Sequence, residues 1–280
     1  MSNLPFLFKV LERVAFSRLS DYLQEHSLFD PLQSAYRKNH SVETLLVNLS
    51  NYILQEMDHG NITALVLLDL SSAFDTIDHS IIIHTLSSLG ITGSALDWFR
   101  SYLSCHSQRV IINGVTSPPM SLTCGVPQGS VGGPTLFSIY LTRLQLFFRQ
   151  YSVRYHIYAD DIQIYVSFPP GRATQAINIL ESCLRDIDAF MLSNSLQLNH
   201  SKCEFMLFGS KPQLQKINIA SISVCGKDVF VSESCRNLGV IFDSQNVNVK
   251  TQSQWPNTKS MSNHKNKSKY KVNVQPQKQV

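Results

Sequence analysis

Residues 155–168 read YHIYADDIQIYVSF, two short runs of aromatic and β-branched residues with Asp160 and Asp161 between them. Such runs favour β-strands, and acidic residues between two strands favour a tight turn. The stretch therefore predicts an antiparallel hairpin that turns at Asp160-Asp161. A second stretch, ITALVLLDL (62–70), is apolar on both faces until Asp69, which is typical of a central strand covered above and below.

Helical spacing of apolar residues surrounds these strands. The spacing predicts helices over 7–23, from Ser41 to near Gly60, and over 80–89, 95–103, 135–149 and 174–193, with Ser94 and Asp97 forming a capping box for the fourth. It also predicts a hairpin over 108–122 that turns at Asn113-Gly114, and short strands at 203–208, 217–225, 229–231 and 238–242. Helices mixed with a few antiparallel strands indicate the α+β fold class.

Three carboxylates stand where structure alone does not favour acidic residues. Asp69 ends an apolar strand, and a buried carboxylate is costly unless a cation or hydrogen bonds stabilise it. Asp160 and Asp161 repel each other, and a divalent ion is the usual compensation. If the two strands are neighbours, the three side chains meet at one end of the sheet and offer the hard oxygen ligands that Mg²⁺ prefers. The alternative is ordinary turn and helix-cap chemistry for each residue.

The net charge of +4 arises from one segment of the chain. Seven of the 24 basic residues and none of the 20 acidic ones follow Asp243, which leaves 17 basic residues against 20 acidic ones before it. Net charge therefore does not by itself indicate a nucleic-acid partner. Six scattered cysteines without a CxxC pair argue against a zinc site and against a disulfide framework.

The two ends of the chain carry different signals. Residues 244–280 are rich in Asn, Gln, Ser and Lys, a composition that predicts a disordered tail. Lys9, Glu12 and Arg13 interrupt the apolar start, which argues against a signal peptide, and no uncharged apolar run reaches membrane-spanning length. We therefore expect an intracellular protein, in the nucleus or cytoplasm, without a membrane partner.

Five segments follow one another in the order of reverse-transcriptase motifs: LLDLSSAFDTIDH (67–79), GVPQGSVGGP (125–134), YADD (158–161), LQLNHSKCE (196–204) and NLGVIFD (237–243). Together with LPFLFKVLERV (4–14) and LFDPLQSAYRKNHSVET (28–44), they resemble the polymerases of LINE-type (non-LTR) retrotransposons. The resemblance implies a right-hand polymerase palm, a small antiparallel sheet backed by helices, with partial fingers and no thumb. It divides the chain into partial fingers (1–66), a palm with inserted fingers segments and primer-grip strands (67–243), and the tail (244–280).

The resemblance also implies a catalytic site. Asp69, the Leu70 carbonyl, Asp160 and Asp161 would hold two Mg²⁺ ions, or Mn²⁺, while a nucleotide is transferred from a dNTP to a primer 3′-hydroxyl. Lys202 matches the lysine that assists the departing pyrophosphate, with a surface lysine as the alternative. The implied partners are an RNA template, a DNA primer and dNTPs, and the sequence does not indicate an oligomeric state.

Further residues match family segments that contact the nucleotide and the primer. Phe74 stands at the sugar gate, where a ring excludes a ribose 2′-hydroxyl, and Arg37 stands at the arginine that grips the triphosphate. Gln128 and Gly129 fall in the nucleotide- and template-contacting loop. The primer grip matches Leu238, Gly239 and Val240. The structural alternatives are a core aromatic residue, a solvated arginine and a Pro/Gly turn.

Two departures from the family pattern lower the activity that we expect. Gly132 replaces the usual leucine, which predicts lost packing and added backbone entropy. The chain starts after the family's Arg-Pro-Ile/Val segment, and the resemblance stops at Asp243, so we expect a core truncated at both ends that is weakly active or inactive. The competing hypothesis is a catalytically impaired remnant that at most binds nucleic acid. A nucleotidyl cyclase or glycosyltransferase with paired aspartates accounts for neither 125–134 nor 237–243.

Overall fold

Helices and short strands alternate along the chain, which confirms the predicted mixed α+β class. The computed structural model describes residues 6–71, 73–104, 107–109, 111–112, 115–126 and 129–244. Its helices are α1 (Phe6–Glu25), α2 (Val42–Asp58), α3 (His79–Ser88), α4 (Gly93–Leu103), α5 (Gly133–Leu141), α6 (Gln145–Gln150), α7 (Ala173–Ser193) and α8 (Lys211–Leu214). Its strands are β1 (Ile62–Leu68), β2 (Ser107–Gln108), β3 (Ile111–Ile112), β4 (Val115–Thr116), β5 (Met120–Ser121), β6 (Arg154–Tyr158), β7 (Asp161–Phe168), β8 (Glu204–Phe208), β9 (Ser221–Val224), β10 (Lys227–Phe230), β11 (Ser234–Asn237) and β12 (Val240–Asp243).

The four-stranded sheet has the order β6-β7-β1-β8, and every neighbouring pair is antiparallel. The apolar β1 is an inner strand between β7 and β8, as its sequence predicts. Its register with β7 runs from Ile62 opposite Phe168 to Leu68 opposite Ile162. The end of β1 therefore lies beside the start of β7, and this juxtaposition positions the candidate site.

Two apolar cores cover the two faces of this sheet. Ile62, Ala64 and Val66 of β1 belong to the larger core, to which α1, α3, α4, α5 and α7 also contribute. Leu65 belongs to the smaller core with Leu49 of α2 and with residues of the β11–β12 hairpin. Because successive side chains of a strand point to opposite faces, burial on both faces requires an unbroken apolar run, which is what β1 has.

The start of α4 differs from its prediction. The helix begins at Gly93 with Thr92 as its N-cap, and Thr92 makes no side-chain capping bond. The capping box predicted for Ser94 and Asp97 is therefore wrong. Gly93, the first residue of the helix, adopts φ +56°, a left-handed conformation that glycine tolerates, and it lies one residue before the predicted cap. Asp97 instead accepts a hydrogen bond from Arg100 Nη1 at 2.9 Å, one helical turn later.

Several other element boundaries also shift. A 3₁₀ turn at Thr142–Leu144 divides the helix predicted over 135–149 into α5 and α6. The prediction did not include β11, and the strand predicted at 238–242 begins only at Val240. The hairpin predicted over 108–122 is present as the nested pairs β2–β5 and β3–β4, while Asn113-Gly114 lies outside the described residues.

The packing loss predicted at Gly132 is wrong, because Phe16 of α1 fills the space beside it. A Cβ atom built on Gly132 would lie 1.9 Å from the Phe16 ring, which is itself 3% exposed. A side chain at this position and the ring of Phe16 are therefore mutually exclusive. In this chain the aromatic ring of Phe16 therefore fills the space beside residue 132.

Two further predictions concern the ends and divisions of the chain. The predicted tail lies outside the described residues except for Ser244. The division at residues 66 and 67 stays a prediction, and it falls inside β1. Among the helices of the described ranges, none combines the length and the apolar character that crossing a membrane requires.

Candidate functional site

The turn that carries the paired carboxylates is shifted by one residue from its predicted place. Tyr158 pairs with Asp161, so Ala159 and Asp160 form the turn between β6 and β7, and Asp161 is the first residue of β7. Ala159 adopts φ +55°, the left-handed conformation that tight hairpin turns use. One carboxylate therefore leaves the backbone from the turn and the other from the strand.

Asp69 meets this hairpin at one end of the sheet. Leu68 is paired with Ile162, and the next residue along each strand towards this end is Asp69 on one side and Asp161 on the other. The Asn199 N–H donates a 2.8 Å hydrogen bond to the Asp69 carbonyl, which fixes the backbone just beyond β1. The antiparallel register thus places Asp69, Asp160 and Asp161 at the same end of the sheet.

The electrostatics of the three carboxylates reflect this placement. Burial is the main cause that raises the pKa of Asp161 to about 6, and the negative charges of Asp160 and Asp69 raise it as well. The nearby charge of Lys202 acts in the opposite direction on the pKa of Asp161. Repulsion among neighbouring carboxylates is the situation that a bound divalent cation relieves.

The chemistry of these donors fits magnesium, which prefers carboxylate and carbonyl oxygens. Asp69 and Asp161 line a cavity of about 300 Å³, the carboxylate cavity, whereas Asp160 and Leu70 line a second cavity of about 510 Å³, the loop cavity. Within the part of the chain that the structure describes, no three His, Cys, Asp or Glu side chains are close enough to share one metal ion. Enclosure of an ion by all three carboxylates therefore requires side-chain movement.

Lys202 lies directly against Asp69. Its Nζ donates hydrogen bonds of 3.2 Å to both Asp69 carboxylate oxygens, and it also lines the carboxylate cavity. The 3₁₀ turn His200–Lys202 precedes β8, which pairs with β1. This pairing brings Lys202 to a carboxylate 133 residues away. The structure places the predicted residue at the site, while its role towards pyrophosphate stays a prediction.

The loop cavity is lined by several of the residues predicted to contact a nucleotide. They are Leu70, Phe74 and Gly129, and Asp160, which was predicted as a metal ligand, lines the same cavity. The Phe74 ring packs on Phe137 of α5 with 4.7 Å between ring centroids, so one side of it belongs to the core. Gly129 has φ +83°, and among the described residues beyond its chain neighbours no atom lies within 4 Å of where its Cβ would stand. This space lets a ligand approach its backbone closely. Gln128 lies outside the described residues.

Arg37 is engaged within its own loop. Its Nη1 donates to the carbonyl oxygens of Asp30 at 2.7 Å and of Gln33 at 3.0 Å, and its guanidinium lies 5.2 Å from the centre of the Phe29 ring. Arg37 lines neither of the two cavities. A role for Arg37 in gripping a triphosphate therefore stays a prediction, and both of these bonds use Nη1.

Tyr36, which the sequence analysis did not single out, stands near Asp160, although it lines neither cavity. Gln33 forms a parallel bridge with Ile157 of β6, and three residues further along the two segments stand Tyr36 and Asp160. Burial raises the pKa of the Tyr36 phenol, and the charge of Asp160 raises it further. Tyr36 is 55% exposed with φ +59°, so an aromatic ring stands in solvent beside the carboxylate on a strained backbone. The sequence offered one signal for Tyr36: it directly precedes Arg37, which was predicted to contact the nucleotide.

The predicted primer-grip residues form the turn of a hairpin beside the carboxylates. Leu238 and Gly239 have φ +48° and +85°, and they connect Asn237 of β11 to Val240 of β12. Leu238 lines the carboxylate cavity with Asp69 and Asp161. Gln163 Nε2 of β7 donates to Asn237 Oδ1 at 2.7 Å. This buried bond ties the hairpin to the strand that begins with Asp161.

Residues 1–242 match the sequence profile of the family described as Reverse transcriptase (RNA-dependent DNA polymerase). The chain belongs to the reverse transcriptase family. It is 30% identical over 212 residues to the probable RNA-directed DNA polymerase from transposon BS of Drosophila melanogaster, a match that covers 72% of this chain and 22% of that protein. It is 24% identical over 250 residues to the RNA-directed DNA polymerase from mobile element jockey of Drosophila funebris, with 86% and 26% covered. The predicted kinship with non-LTR retrotransposon polymerases is confirmed, and the chain spans about a quarter of these two reverse transcriptases.

Solved telomerase structures share the fold of this reverse transcriptase family member. Telomerase from Candida tropicalis in complex with a TWJ fragment of telomeric RNA superposes with a TM-score of 0.57 at 9% identity, over 90% of this chain and 39% of that chain. Apo telomerase from Candida tropicalis gives a TM-score of 0.56 at 9% identity, over 84% and 39%. At such identities the likeness concerns the fold alone.

Proposed function

We propose that this chain carries the nucleotidyl-transfer site of an RNA-directed DNA polymerase. The observation that supports the proposal is the meeting of Asp69, Asp160 and Asp161 at one end of the sheet, between two cavities. Its proposed partners are an RNA template, a DNA primer and dNTPs, in agreement with the names of the relatives. The proposed architecture is a polymerase palm with part of the fingers.

Metal binding is assigned to the carboxylate end of the sheet. Asp69, Asp160, Asp161 and the Leu70 carbonyl would hold two Mg²⁺ ions, which supply positive charge beside the attacking and the leaving oxygen. Asp161 holds its proton more strongly than an exposed aspartate, because its pKa is raised to about 6. Ion binding and loss of this proton are therefore coupled, and the apparent affinity for Mg²⁺ rises with pH through that range.

The remaining assignments concern alignment. Phe74 and Gly129 shape the wall of the loop cavity, where the ring limits space for a ribose 2′-hydroxyl and the glycine lets the backbone approach the nucleotide closely. The turn at Leu238, Gly239 and Val240 supports the primer end beside Asp161. Lys202 leaves Asp69 and offers its charge and a proton to the pyrophosphate. Alignment and electrostatics of this kind supply most of the catalysis in phosphoryl transfer.

A second candidate function is nucleic-acid binding without turnover. Two observations favour it: Lys202 occupies both oxygens of Asp69, and the three carboxylates of the described chain do not form a closed group for one ion. A protein that keeps its nucleic-acid surface but also keeps the Lys202–Asp69 ion pair would still bind an RNA–DNA hybrid, through the phosphates of its backbone and the shape of the duplex. Such binding weakens steeply with salt.

The deciding experiment is primer extension on an RNA template with Mg²⁺, run with the 280-residue chain and with its Asp160→Asn variant. We expect the wild-type chain to extend the primer by a few nucleotides. The rate of nucleotide incorporation by the variant should be at least about a hundredfold lower, because the variant loses a metal ligand. Equal incorporation by the two proteins would refute the proposal. Salt-dependent binding of an RNA–DNA hybrid, measured in parallel, then tests the second candidate.

A further inference from the structure

A buried carboxylate links α1 to the loop beside the loop cavity. Glu12 is 0% exposed in the middle of α1. Its Oε1 accepts a 2.6 Å hydrogen bond from the Tyr102 hydroxyl of α4, and its Oε2 accepts a 3.1 Å bond from the Val131 N–H. Within the described residues, no Lys, Arg or His side chain lies at ion-pair distance from Glu12. Two neutral donors therefore stabilise this buried carboxylate.

The adjacent residue of the loop is fixed from the same helix. Glu12 and Phe16 are four residues apart and so lie on one face of α1. Glu12 holds the Val131 N–H, and the Phe16 ring occupies the space beside Gly132, where even a Cβ would stand 1.9 Å from it. Consecutive residues of the loop thus receive a polar and a steric constraint from consecutive turns of one helix.

The constrained segment lies between lining residues of the loop cavity. Gly129, Ser130 and Gly133 line that cavity, and Val131 stands between them. Ser130 Oγ accepts a 3.1 Å hydrogen bond from the Gly133 N–H, which closes the segment into a compact turn ahead of α5. A shift of Val131 would therefore move the backbone that faces Phe74 and Asp160 across the cavity.

We propose that Glu12 and Phe16 position residues 129–133, and through them the wall of the loop cavity against which the nucleotide is aligned. Glu12 is then a positioning residue that acts through Val131. A well-packed apolar side chain would satisfy burial as well, but it would not select one position for the Val131 N–H. The anchoring of the loop is independent of the proposed function, whereas the consequence for the nucleotide rests on it.

The first test measures amide hydrogen exchange over residues 129–133 in the folded protein and in its Glu12→Gln variant. Glutamine retains the size of Glu12 but has one acceptor oxygen, so its NH₂ group faces one of the two donors. We expect exchange of the Val131 amide to rise about tenfold, as for the loss of a hydrogen bond to a charged group. Glu25→Gln, an exposed substitution on the same helix, is the matched control and should leave this rate unchanged.

A second variant covers the case in which Glu12→Gln does not fold. Tyr102→Phe removes the hydroxyl that bonds both Glu12 and Ser130 and leaves the Glu12–Val131 bond. The carboxylate and the loop are then both held less firmly, so the Val131 amide should exchange about threefold faster. Unchanged exchange in Tyr102→Phe, and in Glu12→Gln if it folds, overturns the proposal. This readout needs no polymerase activity, so it separates failure of the anchor from failure of the proposed function.

Steady-state kinetics test the consequence for the nucleotide. A misplaced cavity wall should raise KM for dNTP about fivefold to tenfold in Glu12→Gln, with kcat at saturation changed less than twofold. A merely structural role would lower the fraction of folded protein, which reduces kcat and leaves KM unchanged. Faster exchange with an unaltered KM would therefore overturn the positioning role.

Discussion

Lys202 Nζ stands 3.2 Å from both carboxylate oxygens of Asp69, so the lysine and a metal ion compete for the same ligand. The Lys202 side chain is 62% exposed and that of Asp69 is 19% exposed. Water and salt therefore screen the pair, and such pairs contribute only about 0–1 kcal/mol. The contact is weak enough to open when an ion or a pyrophosphate arrives.

Replacing Lys202 with glutamine should make Mg²⁺ easier to bind. We expect the half-saturating Mg²⁺ concentration to fall about threefold, which corresponds to a partly exposed ion pair worth less than about 1 kcal/mol. The maximal rate should fall at the same time, because the variant lacks the group that we propose assists pyrophosphate. A Mg²⁺ titration of primer extension measures both quantities, with the exposed Lys211→Gln as control. A higher Mg²⁺ requirement in Lys202→Gln would contradict competition for Asp69.

Phe74 should determine the choice between deoxyribonucleotides and ribonucleotides. Its ring lines the loop cavity and packs on Phe137, so one face of the ring is supported by the core. We expect Phe74→Val to raise the relative use of ribonucleotides about tenfold to a hundredfold, the range for a single steric determinant. The ratio of kcat/KM for the two substrates checks this, and it does not depend on the fraction of active protein. An unaltered ratio would leave Phe74 as a core aromatic residue only.

His156 on β6 should make stability depend on pH. It is 7% exposed, and burial lowers its pKa to about 4 from the ordinary 6.5. Above pH 6.5 neither state carries this proton, whereas between pH 6.5 and 4 the unfolded chain binds it and the folded one does not. Stability is therefore lost as pH falls through that window, by up to about 1.4 kcal/mol for each pH unit.

Urea unfolding at pH 7.5 and pH 5 measures this loss. Between pH 7.5 and pH 5, the wild type should lose about 2 kcal/mol more unfolding free energy than His156→Phe loses, because the variant has no histidine to protonate at this position. His84→Gln, an exposed substitution on α3, controls for the loss of a histidine elsewhere. A difference that stays constant between the two pH values would show that burial of His156 does not govern this part of the pH dependence.

Local patterns in the sequence predicted much of the fold. The two-faced apolar run identified β1 as an inner strand, and Ser41 caps α2 with a capping box that includes Thr44. The meeting of Asp69 with Asp161 followed from the assumption that their strands are neighbours, which the register bears out. The turn position was wrong because Ala159 adopts a left-handed conformation that alanine rarely takes.

What the sequence could not supply were contacts between distant residues. Glu12 is bonded to residues 90 and 119 positions away, so its helical pattern showed only a polar residue inside an apolar stripe. Gly132 predicted lost packing, but Phe16, which lies 116 residues earlier in the chain, fills the space beside it. Arg37 matched a motif, yet its Nη1 donates to two carbonyls of its own loop. Each of these outcomes depends on tertiary contacts, and the spacing of apolar residues along the sequence does not predict which segments contact each other.

The exclusion between Phe16 and a side chain at position 132 should appear as a strong coupling. Gly132→Leu alone should destabilise the protein by about 1–3 kcal/mol through overpacking, and Phe16→Ala alone by about 3–5 kcal/mol through the cavity it leaves. In the double variant the leucine occupies the cavity that Phe16→Ala leaves. The double variant should therefore be more stable, by at least about 1 kcal/mol, than the sum of the two single destabilisations predicts. Chemical unfolding of the four proteins measures the coupling. Simple additivity would mean that the two positions do not share this space.

Tyr36 should matter to activity and not to stability. Its backbone has φ +59°, a conformation that glycine adopts without the cost of about 1–2 kcal/mol that other residues bear. In Tyr36→Gly, relief of this strain offsets the added entropy of the unfolded chain, so the unfolding free energy should change by less than about 1 kcal/mol. Primer extension should nevertheless decline, because the variant removes the exposed ring beside Asp160.

Asn39 provides the matched control, since it stands in the same loop, is exposed and has φ +64°. Asn39→Gly relieves the same kind of backbone strain but removes no aromatic ring, so its KM for dNTP should equal that of the wild type. We expect a KM about fivefold higher for Tyr36→Gly, in the range of one lost stacking contact. If the two glycine variants extend primers equally well, the ring of Tyr36 does not contribute to the site, and its exposure reflects only the path of the loop.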